Sequence, residues 1–280
     1  MSANAAFSLP SVTGMCKIAP MPLLAVIPAR YGSTRFPGKP LISIAGRPMI
    51  ERVWRLASAA PGVDRVVVAT EDARIKDAVE AFGGECVLTS ETCRNGTERA
   101  LEAADVLGGG FDIVINVQGD AVLTPPWVIG GVAEAMRADP SLAMATPAVR
   151  MSKETEDNFR ATKARGDVGG TTVVFDRAMN ALYFSKSVLP FQRHPEAGTP
   201  VWQHIGLYGY RLKTLRKIVA LEPSPLERAE SLEQLRALEN GIPIRIVETD
   251  YRGRSAWSVD APDDAKMVEA IIAREGELVE

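Results

Sequence analysis

Short, unbroken apolar runs that alternate with helix-length amphipathic segments constrain this chain more than any other feature. Residues 23–27, 65–70, 112–118 and 143–149 are dominated by aliphatic side chains, and 85–89 is a shorter run of the same kind. Runs like these suit strands buried on both faces of a parallel sheet. Between them, 48–60, 73–82, 97–107 and 125–138 read as helices. In the first, Met49, Ile50, Val53, Trp54 and Leu56 form one apolar stripe, and Pro125 and Pro126 open the last. Strands and helices in alternation predict right-handed βαβ units. The expected class is therefore α/β, with a doubly wound, mostly parallel sheet.

Beyond residue 150 the rhythm changes. Residues 152–167 are polar and read as turns, whereas 171–175, 181–185 and 202–210 read as strands without long helices between them. Residues 226–239 then form a helical pattern, 242–247 an alternating strand and 263–274 a closing helix. This predicts a single domain over 22–280, carrying a β-rich insertion at about 151–221. Residues 1–21 lack a basic start followed by an apolar core of signal-peptide length, and are expected to be a disordered extension without function.

Composition narrows the partners. The chain of 280 residues is 46% hydrophobic and 24% charged, with a formal net charge of −3. Its basic residues are dispersed, which argues against a nucleic-acid surface. No apolar run approaches the length of a membrane span. Cys16, Cys86 and Cys93 lack metal-ligand spacing, and His194 and His204 are the only histidines, so a zinc site is not expected. A reducing cytoplasm is the expected setting.

Ligands of open α/β sheets bind at the carboxyl ends of the strands. The loop after the first run reads Ile27-Pro-Ala-Arg-Tyr-Gly-Ser-Thr-Arg-Phe-Pro-Gly-Lys39. Gly32 and Gly38 permit close turns, and Arg30, Arg35 and Lys39 concentrate positive charge. A solvated basic turn and a cradle for a triphosphate both fit this composition; the position after a buried strand favours the cradle. It is not a Walker A loop, because neither the upstream glycine nor the following Ser or Thr is present.

Asp120 follows the 112–118 run in Gln-Gly-Asp, and Asp260 ends Ser-Val-Asp. One aspartate after a strand is commonly a turn or cap residue. Two of them beside a triphosphate make an oxygen-rich site suited to Mg²⁺, which keeps waters and shares phosphate ligands. Asp263 and Asp264 read as first-turn helix residues. No nucleophile–base pair stands out, so direct in-line transfer is expected, with a hydroxyl attacking the α-phosphorus.

The stretches IPARYGSTRFPGKPL (27–41), GRPMI (46–50), VVVATEDARI (66–75), NGTERA (95–100), NVQGD (116–120), ALYFSKSVLPF (181–191), HIGLYGYR (204–211), EPSPLERAESLEQLRALENG (222–241) and VDAPDD (259–264) together resemble the 3-deoxy-manno-octulosonate (Kdo) cytidylyltransferases. The resemblance implies a Rossmann-like nucleotidyltransferase that moves CMP from CTP to a sugar acid with Mg²⁺, in lipopolysaccharide biosynthesis. It implies catalytic roles for Arg30, Lys39 and Asp120. Nucleotide contacts would come from Ala29, Arg30, Ser33, Arg35, Lys39, Thr97, Arg99 and Gln118, and metal contacts from Asp120 and Asp260. His204, Tyr208, Glu233 and Gln234 would face the sugar, and a homodimer would form through the insertion.

The acceptor half departs from the family pattern. Ala121-Val122 follow Gln-Gly-Asp in place of Glu-Pro, and Thr171-Thr-Val-Val174 lacks the usual strand lysine. Lys186 stands where an arginine is usual, and Phe191-Gln-Arg193 replaces Trp-Asp-Arg. These changes predict weaker use of Kdo. They leave two alternatives: a different acidic acceptor, such as another ulosonic acid or a phosphonate, or a non-catalytic nucleotide-binding relative.

Overall fold

The computed structural model describes residues 22–32, 36–108 and 110–279. The extension read at 1–21 and the loop residues Ser33 and Arg35 lie outside them. The described residues open with β1 (Leu23–Pro28), a small hairpin of β2 (Ser43–Ile44) and β3 (Arg47–Pro48), and α1 (Met49–Ser58). Then follow β4 (Arg65–Thr70), α2 (Ala73–Ala81), β5 (Cys86–Leu88), α3 (Gly96–Val106), β6 (Ile113–Val117), α4 (Pro126–Ala138) and β7 (Met144–Arg150). These elements match the βα alternation read from the sequence.

The strands β5, β4, β1 and β6 lie side by side, all parallel. Every residue of β1 from Leu23 to Ile27 is fully buried, because helices cover both faces. Leu23, Ala25 and Ile27 pack in one core with α1 and α4 side chains such as Ile50, Val53 and Val132. Leu24 and Val26 pack in another core with Ala100 and Ala103 of α3. The doubly wound α/β reading therefore holds.

After β7 come α5 (Lys153–Ala164), β8 (Thr172–Phe175), β9 (Ala181–Ser185), β10 (Trp202–His204), β11 (Leu207–Arg211), α6 (Leu212–Val219), α7 (Pro225–Glu230), α8 (Gln234–Glu239), β12 (Ile244–Thr249) and α9 (Pro262–Glu275). β11 inserts antiparallel between β6 and β7, and β12 runs parallel along β7. β10, β8 and β9 extend the sheet antiparallel from the distal end of β7.

Some local readings are corrected. Residues 153–164 are helical rather than turns. Ser152 caps α5 by accepting from Thr155 N at 3.1 Å, and Lys153–Asp157 and Glu156–Arg160 ion pairs lie one turn apart. The helix is supported by caps and charges, so it shows little apolar period. Helix α6 was not foreseen, although Leu212, Leu215 and Ile218 are buried on one stripe. The long helix at 226–239 is two, broken where Ser231 takes a left-handed conformation (φ 53°). The strand at 202–210 is divided at Ile205-Gly206.

Gly209 explains how β11 enters the sheet centre. A Cβ there would lie 2.8 Å from Val132 Cγ1 and 3.1 Å from Met136 Cγ, so only glycine lets α4 pack this closely. Among the described residues, no helix is long and apolar enough to cross a membrane.

Candidate active site

The carboxyl ends of β1 and β6, the amino end of α3 and the segment before α9 enclose a cleft of about 370 Å³. Gly119 makes this closeness possible, since a Cβ on it would sit 2.8 Å from the carbonyl oxygen of Pro28. The end of β6 therefore presses against the end of β1, and Asp120 is delivered beside the basic loop.

The loop is anchored at both ends. Tyr31 N donates to Glu71 Oε1 at 3.3 Å, and Gly38 N donates to Tyr31 O at 3.0 Å. The guanidinium of Arg74 stacks 3.3 Å over the centre of the Tyr31 ring. Gly38 has φ 71°, a left-handed turn that aims Lys39 back across the cleft. Lys39 Nζ donates to Asp120 Oδ2 at 2.9 Å and to Val259 O at 2.8 Å. One ammonium thus joins the Gln-Gly-Asp turn to the residue preceding Asp260. Asp264 accepts from the backbone N–H groups of Asp260 and Ala261 at 2.8 and 2.7 Å. This is the first-turn helix role read for Asp264, and it fixes the approach of Asp260.

Ala29, Arg30, Lys39, Arg99, Gln118, Asp120 and Asp260 all line this cleft. Arg99 is 4% exposed and is aimed by an ion pair to Glu71 (2.8 Å) and a bond to Thr89 Oγ1 (2.6 Å). Sequence reasoning missed Glu71, Arg94 and Asn95. Asn95 had a readable signal: it precedes Glu98 by three residues, as an N-cap does, and its Oδ1 accepts from Glu98 N at 2.8 Å. Among the described lining residues, Arg30, Lys39, Arg94 and Arg99 outnumber the acids Asp120 and Asp260, so the cleft favours a polyanion.

The residues expected at the sugar do not line that cleft, and His204 and Gln234 among them are buried. His204 is buried, with Nε2 2.9 Å from Thr146 Oγ1 and its ring against those of Phe184 and Tyr208. Burial, and secondarily the Lys186 cation, push its pKa down to about 3, so the imidazole is neutral. Burial and the Glu233 carboxylate raise the Tyr208 phenol well above its usual range, which keeps it protonated. Glu233 is itself raised by burial. Its carboxylate accepts from Asn95 Nδ2 at 3.0 Å and Thr97 Oγ1 at 2.7 Å. Thr97 is thus buried behind the cleft and faces Glu233. Gln234 is 5% exposed, and its Nε2 has no partner among the described residues.

A cytidylyltransferase family profile matches residues 24–246. A 3-deoxy-manno-octulosonate cytidylyltransferase of Maricaulis maris is 71% identical over 259 residues, covering 92% of this chain and all of that protein. The chain belongs to the 3-deoxy-manno-octulosonate cytidylyltransferase family. A relative of that name from Myxococcus xanthus is 46% identical, covering 90% of this chain and 97% of its own. The solved structure of a CMP:2-keto-3-deoxy-manno-octonic acid synthetase complexed with CTP aligns with TM-score 0.80 at 38% identity, covering 91% of this chain and 99% of that one. Two of the departures from the family pattern have local structural uses. Val122 is buried in the main core. Thr172 Oγ1 donates to Ser187 O at 2.6 Å and accepts from Leu189 N at 3.1 Å, which fastens the segment after β9.

Proposed function

We propose that this chain transfers CMP from CTP to Kdo and releases pyrophosphate. The observation that carries the reading is the bridge from Lys39 to Asp120 and Val259, which sets cation and carboxylates together at one sheet edge. The solved relative complexed with CTP supports the same nucleotide. In the reaction an acceptor hydroxyl attacks the α-phosphorus, a new oxygen–phosphorus bond forms, and the bond to the bridging oxygen of pyrophosphate breaks. The hydroxyl proton leaves to solvent or to a phosphate oxygen. Arg30 and Lys39 face the charge that grows on the departing pyrophosphate, and Arg99 and Gln118 hold the nucleotide.

Asp120 and Asp260 fit a hard divalent cation such as Mg²⁺. No group of three or more His, Cys, Asp or Glu side chains that could hold a metal occurs among the described residues. Triphosphate oxygens and water would therefore complete the coordination around Asp120 and Asp260. When bound, Mg²⁺ would neutralise phosphate charge and orient the α-phosphorus. His204, Tyr208, Glu233 and Gln234 are assigned to the acceptor, with Lys186 adding positive charge close to His204. A homodimer through the 151–221 region, a cytoplasmic location and a role in lipopolysaccharide biosynthesis complete the proposal.

A 71% identical relative named for Kdo supports Kdo as the acceptor. Pyrophosphate release measured with CTP, Mg²⁺ and a panel of sugar acids tests the reading. Turnover of Kdo above all others is expected. Turnover confined to another acid, or CTP binding without any turnover, would replace it with the altered-acceptor or the non-catalytic alternative.

A further inference from the structure

Glu233 is assigned to the acceptor, yet both of its carboxylate oxygens are taken by the start of α3. Asn95 Nδ2 donates to Oε1 at 3.0 Å and Thr97 Oγ1 donates to Oε2 at 2.7 Å, across more than 130 residues of chain. The obvious ionic partner is engaged elsewhere: the Arg236 guanidinium is spent on Glu227, with Nε 2.7 Å from Glu227 Oε2. A half-buried carboxylate is thus held by two neutral donors from a single helix end, and losing either leaves a desolvated charge underpaired. Asn95 is fixed at both ends of its amide, because its Oδ1 accepts from Glu98 N at 2.8 Å while its Nδ2 serves Glu233.

The turn so held is part of the nucleotide cleft. Asn95, Gly96 and Arg99 line it, and a Cβ on Gly96 would touch the Pro28 ring at 3.4 Å, so the turn lies directly against the end of β1. From this geometry we infer that Glu233 is a positioning residue that couples the residues assigned to the acceptor to the nucleotide cleft through Asn95 and Thr97. The inference rests on the reading of that cleft as the CTP site. The chain places Glu233 here by breaking its helix: Ser231 adopts φ 53°, α7 stops, and Leu232 turns into the core ahead of Glu233. By linkage, whatever an acceptor does to Glu233 is returned as a change in nucleotide affinity, and the reverse.

The test is CTP affinity, a property that a pure acceptor ligand would not control. Glu233→Gln keeps the shape but removes the charge, and its amide serves both partners only if the Thr97 hydroxyl turns from donor to acceptor. It is expected to weaken CTP binding in calorimetric titration about tenfold, consistent with the loss of one charge-assisted bond. Asn95→Ala is expected to weaken CTP similarly, and the double variant to be no worse than the weaker single one. Wild-type CTP affinity in Glu233→Gln, with only the acceptor KM raised, overturns the inference; so do losses that multiply in the double variant. Should Glu233→Gln fail to fold in a thermal melt, Asn95→Ala carries the test from the other end. It must raise the KM for the sugar acid as well as weaken CTP, and an unchanged acceptor KM overturns the coupling. A wild-type protein that binds no CTP would instead defeat the underlying reading of the cleft.

Discussion

At the scale of single residues, Lys39 is the side chain on which most of the site depends. Its ammonium is shared between Asp120 and Val259 O, so removing it undoes a cation, a carboxylate partner and a cross-link between strand ends together. Lys39→Ala is expected to weaken CTP binding and to lower pyrophosphate release by about 100-fold or more, the usual scale for one preorganised electrostatic contact. Asp120→Asn is expected to depress turnover comparably while costing less CTP affinity; titration calorimetry beside steady-state kinetics separates the two. His204 gives a pH prediction. Its folded pKa, about 3, lies below its ordinary value of 6.5, so between those values the unfolded chain binds a proton that the folded one refuses. Stability is then lost as pH falls below about 6.5, at up to roughly 1.4 kcal/mol per pH unit from this group. Urea melts at pH 7.5 and 5.5 are expected to show a smaller acid loss in His204→Gln than in wild type. Lys39, Asp120 and Asp260 were legible because strand-end chemistry is local in sequence. The partners of Glu233 were not, because a bond between residue 233 and residues 95 and 97 leaves no periodic or local mark.

At the scale of elements, the legible parts are those that bury an apolar face. β1, β4, β6 and β7 and the helices α1 to α4 announce themselves through their apolar runs and periods. α5 does not, because Ser152, Lys153–Asp157 and Glu156–Arg160 support it with polar groups that a loop could equally carry. The break at Ser231 is also hidden, since nothing about serine demands a left-handed conformation. The packing of β6 against β1 supplies a sharper test. Gly119→Ala would place a methyl 2.8 Å from Pro28 O, a backbone atom that cannot swing aside. The two strand ends must separate, which moves Asp120 away from Lys39. Turnover is expected to fall at least tenfold, with a stability loss of about 1–3 kcal/mol from the forced shift. Gly209→Ala instead crowds the side chains of Val132 and Met136 on α4, away from the cleft. It should lower the melting temperature while leaving the KM for CTP near wild type, and kinetics run beside thermal melts would expose the opposite pattern.

At the scale of the whole molecule, the order of strands was the least legible property. Nothing in 207–211 says that it enters antiparallel between β6 and β7; only Gly209, seen against α4, explains how it fits. The same extension leaves β9 as the last strand at one end of the sheet order. An outer strand offers unpaired backbone groups, which proteins normally cover or blunt. Here the strand and the segment after it also carry large apolar side chains in solvent, Leu182 at 61% and Phe191 at 87% exposure. Exposed apolar side chains call for a covering surface, and the proposed second copy of the chain would supply one by symmetry. The expected outcome is a dimer of about twice 30.2 kDa in light scattering at micromolar concentration. Phe191→Asp would place a charge in the apolar contact and shift the species toward monomer, whereas Phe191→Leu would keep the dimer. A wild-type protein that runs as a 30.2 kDa species throughout would show that Leu182 and Phe191 face water in the functional state.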